Sequence, residues 1–183
     1  MPTLTSEQEQ IKNLEARVEA IERSQPGDNL AIGVMTGNLD TTMAAFIIAL
    51  GATAYDMQVD MFFTFWATAA LRDPEKTPPK GLLDRMFGRM LPRSSRNLPL
   101  SKLQMAGIGP KMIRSVMRQR GVKSLEDLMR QAGELGVRIH VCEMSMNVMG
   151  LRPEELIAYP GLDIVGVGSF IKMVREAKQV IFL

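Results

Sequence analysis

The chain has 183 residues, 46% of them hydrophobic, a formal net charge of +2 and one cysteine. That length suits a single domain with a substantial core plus an appendage, and is too short for two full domains. A lone cysteine excludes an intramolecular disulfide, and no charged start followed by an apolar segment marks a secretory signal, so cytoplasm is the expected compartment.

The charge is unevenly placed. Residues 72–123 hold thirteen Lys/Arg and three Asp/Glu, a balance of +10 against −8 for the remainder. The middle of the chain therefore suits an acidic partner. The longest apolar run, residues 43–55, covers 13 positions and is followed by Asp56 and Asp60. A membrane span needs about 20.

At the start, Leu4, Ile11 and Val18 share one heptad position and Leu14 and Ile21 another, with Gln25-Pro26-Gly27 stopping the run. Residues 1–27 thus read as a coiled-coil arm and linker. Glu7 takes the remaining core position, and barely three heptads make a marginal helix unless a partner or the domain body supports it. A homo-oligomer is the expectation; a disordered tail or expression leader is the alternative.

Residues 30–35 predict a strand, 36–39 a tight loop, and 40–57 a helix capped by Asp40 or Thr41 and apolar nearly all round. Residues 59–65 predict a second apolar strand running into a short helix at 66–71, which completes one parallel βαβ unit. The next segment breaks that rhythm. Pro74, Pro78, Pro79, Pro92 and Pro99 exclude a central strand, while Leu82, Leu83, Met86, Phe87, Met90 and Leu91 keep helical spacing with Arg85, Arg89 and Arg93 interleaved. An insertion, residues 73–123, thus carries a basic amphipathic helix. It could lie on a membrane surface or a partner, or simply cap the domain with its arginines in water. Peripheral membrane contact has no other support in the sequence.

Within the insertion, Gly107-Ile108-Gly109-Pro110 opens a helix that runs from Pro110 to Gln119 and stops at Gly121. Ser124, with Asp127 at the capping-box position, then opens a helix to Leu135. Val137, Ile139 and Val141 alternate with Arg138 and His140, the pattern of a strand, whereas residues 144–149 lack β-branched runs and close at Gly150. The strand would deliver Cys142 to the start of a short helix. Free N–H groups and the helix dipole there favour thiolate and lower the pKa from about 8.5. A small buried hydrophobe is the alternative for Cys142. Strand alternation puts His140 on the same face, a candidate thiolate helper.

A helix near residues 153–159, a strand at 164–167, a helix at 169–178 and a strand at 179–182 complete the pattern. The expected fold is a three-layer α/β/α domain, residues 28–183, with a mostly parallel five-stranded sheet, the helical insertion and the N-terminal arm. Ligands are expected beyond the carboxyl ends of the strands, where Cys142 lies. One His and one Cys cannot supply the three or four N/S ligands of a metal site. Gly166-Val167-Gly168 is followed by Ile171 where a dinucleotide loop needs its third glycine. Phe65 and Trp66, at a strand end, either wall the thiol site or fill core.

Four stretches then occur in order: Asn38-Leu39-Asp40, Phe62-Phe63-Thr64-Phe65-Trp66, Gly107-Ile108-Gly109-Pro110-Lys111-Met112, and Cys142-Glu143-Met144-Ser145-Met146-Asn147-Val148-Met149-Gly150. Together they resemble the DsrE/DsrF/DsrH-like family over about residues 29–183, most closely its DsrE-like sulfur-trafficking branch. The resemblance implies an oligomerising α/β protein that carries sulfane sulfur or a thiosulfonate group covalently on Cys142, with no other cofactor, and exchanges it with small carriers such as TusA. The family usually has Asp where Asn147 stands and commonly Ala where Val141 stands; neither change removes the nucleophile. The site-shaping candidates are Gly37, Asn38, Phe65, Trp66, Glu143, Met144, Ser145, Met146 and Asn147.

The expected function is therefore a sulfur carrier or sulfurtransferase that takes sulfur from a persulfide or thiosulfonate donor and passes it to an acceptor cysteine. An acidic, TusA-like partner would dock on Arg85, Arg89, Arg93, Arg96, Lys102 and Lys111. Two alternatives remain. Residues 103–132 also resemble a helix-hairpin-helix that holds DNA phosphates, although the second hydrophobic motif is missing and no aromatic residue between Phe87 and Tyr159 could stack on bases. The other is an assembly subunit whose Cys142 is inert.

Overall fold

Pleating sorts the apolar residues of each strand onto two faces, and both faces here are covered. The computed structural model describes residues 6–24 and 27–183. In chain order its elements are α1 (Ser6–Ser24), β1 (Gly27–Val34), α2 (Leu39–Thr53), β2 (Gln58–Phe63), α3 (Leu82–Met90), α4 (Ile108–Gln119) and α5 (Leu125–Glu134). There follow β3 (Arg138–Cys142), α6 (Glu143–Val148), β4 (Leu162–Val165), α7 (Val167–Glu176) and β5 (Ala177–Phe182). The sheet order is β4-β3-β2-β1-β5, and every pairing is parallel rather than most of them.

That order fixes the layers. From β1 to β4 each connection steps one strand in the same direction, and right-handed crossovers then place α2 and α5 on one face. They pack there on Leu30, Ile32, Val34, Val59, Met61, Phe63, Ile139 and Val141. The last connection returns past β1, so α7 falls on the opposite face, against residues of the other parity: Phe62 and Cys142 meet Phe170. The Phe62 and Phe170 rings stack with centroids 4.4 Å apart. Strand order reverses between β1 and β5, so Cys142, two strands away on β3, lies at a carboxyl end but not at the reversal itself.

Several boundaries move. Asn38, not Asp40 or Thr41, caps α2; Asp40 instead accepts from the backbone N–H and hydroxyl of Ser101, tying the middle of the insertion to the start of α2. Residues 153–159 are not a helix beyond a single 3-10 turn, Pro153–Glu155. The chain there pairs sideways instead: Leu156 bridges Arg72, Ile157 N–H donates to Leu71 O at 2.9 Å and Asp73 N–H to Glu155 O at 2.7 Å. Pro160 follows, which disfavours helical backbone at Tyr159. The last two strands and the last helix each begin about two residues earlier than periodicity predicts, because Gly166 caps α7.

The arm is a 19-residue helix. Ile11, Leu14 and Val18 are exposed along it, so among the described residues nothing fills that part of the heptad seam and a coiled coil is not shown; the side chain of Ile21 lies outside the description. Leu4 and the Gln25-Pro26 stop lie outside the described residues. Among the described residues, no helix is long and apolar enough to cross a membrane.

Candidate functional site

The chain passes from β3 into α6 without a loop, so Cys142 is both the last strand residue and the helix N-cap. The residue is 3% exposed. Burial pushes the Cys142 thiol up, but hydrogen bonds from the Ser145 hydroxyl and N–H, the Thr64 hydroxyl and the Met144 N–H prevail and hold it below its ordinary value. The two hydroxyls also bond each other, Thr64 Oγ1 to Ser145 Oγ at 2.7 Å. Thr64 is placed by its own backbone, whose N–H donates to Val34 O at 3.0 Å just past the ends of β1 and β2. The thiol thus sits at a sheet rim beside two hydroxyls able to hold negative charge on sulfur.

The other site candidates separate. Ser145 and Met146 are buried, and only Ser145 reaches the thiol by its side chain; Glu143, Met144 and Asn147 lie on the exposed side of α6. Gly37, Asn38 and Trp66 are brought together elsewhere, in a cavity of about 290 Å³ closed by Leu91, Pro92 and Pro99 of the insertion. Gly37 is required there, since a Cβ would stand 2.3 Å from Trp66 O. Phe65 is exposed and adopts φ 45° as the chain leaves the rim. The hydrogen bonds that hold the thiol come from none of these four.

His140 is not the thiolate's helper. Its Nε2 lies 2.8 Å from Asp60 Oδ1 and its Nδ1 2.5 Å from Asp163 Oδ1, leaving neither ring nitrogen for Cys142. Asp60 also accepts Arg138 Nε and Nη2, each at 2.7 Å, so β2, β3 and β4 are pinned across the α7 face. Burial pushes the His140 pKa down, but the bonds and charges of Asp60 and Asp163 outweigh it and leave it raised. The sign follows: the imidazolium's stabilisation is complete below the unfolded value near 6.5 and is lost as pH rises through the folded value. Asp60 is held below its ordinary value, so its own contribution is lost only in acid. Melting curves should therefore show His140→Gln costing more at about pH 5.5 than at about pH 9. A deficit independent of pH would mean that the ring is held neutral.

The six basic candidates are all exposed and divide between two cavities, with one in neither. Arg85, Arg89 and Arg93 line a cavity with the proline-rich segment before α3. Arg96 and Lys111 line another beside Arg114 and Arg118, and Lys102 lines neither. In the helix-hairpin-helix alternative the second helix would be α5, but Leu125, Leu128, Met129 and Ala132 commit it to the core beside α2.

Sequence reasoning missed Thr64, Asp60, Asp163 and Glu155. Thr64 had a signal, a hydroxyl interrupting the apolar run Phe62-Phe63-Thr64-Phe65-Trp66 at a strand end. Asp60 had one too, a carboxylate inside a buried strand. Asp163 and Glu155 had none, because each is defined by partners distant in sequence.

The sequence model of the DsrE/DsrF/DrsH-like family matches residues 27–182. The chain is 42% identical over 153 residues to "Uncharacterized protein YrkE" of Bacillus subtilis, covering 83% of this chain and 94% of that protein. It is 27% identical over 160 residues to "Sulfur carrier protein DsrE2" of Allochromatium vinosum, covering 84% of this chain and 97% of that one.

Proposed function

This chain belongs to the DsrE/DsrF/DrsH-like family, and from that premise we propose that it is a sulfur carrier whose Cys142 bears the sulfur covalently. The observation that carries the reading is the placement of a lone buried thiol at the strand-to-helix junction beside the paired Thr64 and Ser145 hydroxyls, which hold it down where burial alone would push it up. A structural cysteine needs no such donors. The Allochromatium vinosum relative, named a sulfur carrier protein, points the same way. In the proposed step the Cys142 thiolate attacks the sulfane sulfur of a persulfide or thiosulfonate. A persulfide's inner sulfur leaves as thiolate, and a thiosulfonate's sulfonyl sulfur as sulfinate, or as sulfite from thiosulfate; an acceptor thiolate later attacks the transferred sulfur, its bond to Cys142 breaks and the Cys142 thiolate leaves. No second cysteine in the chain can discharge the loaded species as an intramolecular disulfide.

Two features suit delivery to another protein. Phe65, Trp66, Met144 and Val148 are exposed near the strand rim, an apolar surface of the kind found at interfaces. The basic insertion adds charge steering towards an acidic, TusA-like partner, which raises encounter rate without a large interface. Because Cys142 is 3% exposed, the donor or partner must displace part of its cover to react.

The pH dependence of alkylation tests the thiolate. In wild type the apparent pKa should lie below that of an ordinary thiol, and Ser145→Ala and Thr64→Val should each raise it. An ordinary or elevated wild-type value, unmoved by either substitution, would return Cys142 to the inert class. Docking is tested by Lys102→Glu with Lys111→Glu. Transfer to a partner carrier should slow, the deficit should shrink as salt is raised, and loading by a small thiosulfonate should stay intact. If small-donor loading fell equally, these lysines would belong to the fold or the thiol site.

A further inference from the structure

Between α3 and the proline-rich segment before it lies a cavity of about 380 Å³, within the range of small-ligand pockets. Its floor is rigid. Arg72 and Lys80, with side chains 11% and 8% exposed, both pair with the buried Glu155. Arg72 Nη1 also donates to Gly88 O and Pro92 O, each at 3.0 Å, and Lys80 Nζ to Gly150 O at 2.6 Å. On the wall, Arg85 and Arg89 stand one helical turn apart on α3, and Arg93 follows its end.

The wall carries one carboxylate, Asp84, which pairs with none of its guanidiniums. The lining carries six Lys/Arg against three Asp/Glu, and two of those acids are already engaged, Glu155 by Arg72 and Lys80 and Asp73 by Lys76. Among the described residues no carboxylate lies within ion-pair distance of Arg85, Arg89 or Arg93; Arg85 donates only to Lys80 O, at 3.3 Å. The facing wall includes Pro74, Pro78 and Pro79, which have no N–H to donate. Recognition thus falls to guanidinium forks, which match tetrahedral oxyanions two oxygens at a time.

From this arrangement we infer that the cavity is a binding site for a small, multiply charged oxyanion of the phosphate or sulfur-oxyanion class. Arg85, Arg89 and Arg93 close on it from the wall, and the Arg72–Glu155–Lys80 floor holds that wall in place. The inference does not depend on the chemistry of Cys142. The site does abut the segment that follows the cysteine. Lys80 holds the carbonyl of Gly150, and a Cβ on Gly150 would stand 2.7 Å from Asp84 Cα.

Calorimetric titration of the full chain at low salt, with sodium phosphate, sulfate and thiosulfate as separate probes, tests it. At least one oxyanion should bind saturably. Arg85→Gln with Arg89→Gln should weaken it roughly tenfold or more for each guanidinium lost, and the two Lys replacements should fall between. Lys111→Gln, on the other cavity, is the control and should leave binding unchanged. Tighter binding of phosphate would assign the phosphate class, and tighter binding of thiosulfate or sulfate the sulfur-oxyanion class. The inference is overturned if no probe binds saturably or if the Gln pair binds as well as wild type. It is also overturned if only a hexaglutamate peptide binds in an Arg85- and Arg89-dependent way, which would make the cavity part of a protein-docking face.

Discussion

Wild-type protein incubated with a sulfane-sulfur donor should gain the mass of a sulfur adduct, and Cys142→Ser should gain none. The effect is all-or-none because the chain has one cysteine and the substitution leaves no alternative thiol. Serine keeps the shape and can still bond Thr64 and Ser145, so the fold should hold. Its hydroxyl does not ionise near neutral pH, and the nucleophile is lost. After removal of the donor the adduct on wild type should persist until a partner thiol is supplied, since thiol–disulfide exchange needs an attacking thiolate and none remains. Intact-mass measurement before and after adding an acceptor reads both expectations. An equal adduct on the Ser variant would place the sulfur elsewhere, and rapid loss from isolated wild type would argue against a carrier.

What could be foreseen followed how locally each feature is encoded. The alternation of residues 137–141, followed by a methionine-rich run without β-branched stretches, placed Cys142 at a strand-to-helix junction, because period two and helical composition are read within a few residues. The Ser124 cap was legible for the same reason; its Oγ accepts from Asp127 N–H at 3.1 Å. Residues 153–159 were misread because their backbone bonds run to residues 71–73, a pairing invisible to periodicity. His140 shows the limit of a parity argument. Alternation correctly put it on the face of Cys142, but carboxylates on β2 and β4 claim both ring nitrogens. Thr64 reaches the thiol from the position just after β2, and only the parallel register that brings the two strand ends together makes it a site residue.

Glu155→Gln should be among the most destabilising single changes in the protein. The carboxylate is 2% exposed and accepts Arg72 Nη2 at 3.1 Å, Lys80 Nζ, and Arg152 N–H at 2.9 Å. Glutamine preserves the volume but removes the charge, leaving two cations, themselves nearly buried, facing one neutral amide. Breaking a buried pair from one side costs about 3–5 kcal/mol, even where replacing the whole cluster by apolar residues would be neutral. For a chain of this size that corresponds to a fall in Tm of roughly 6–20 °C. Scanning calorimetry measures it directly, and Lys80→Met added to Glu155→Gln should recover part of the loss, because one orphaned cation goes with its partner. A loss for Glu155→Gln below about 1 kcal/mol would mean that water reaches Arg72 and Lys80 and solvates them without the carboxylate. The same network holds Gly150, the residue that closes the turn after α6, through Lys80. Loss of Glu155 should therefore loosen the frame around Cys142, and alkylation of the cysteine should quicken at temperatures still below unfolding.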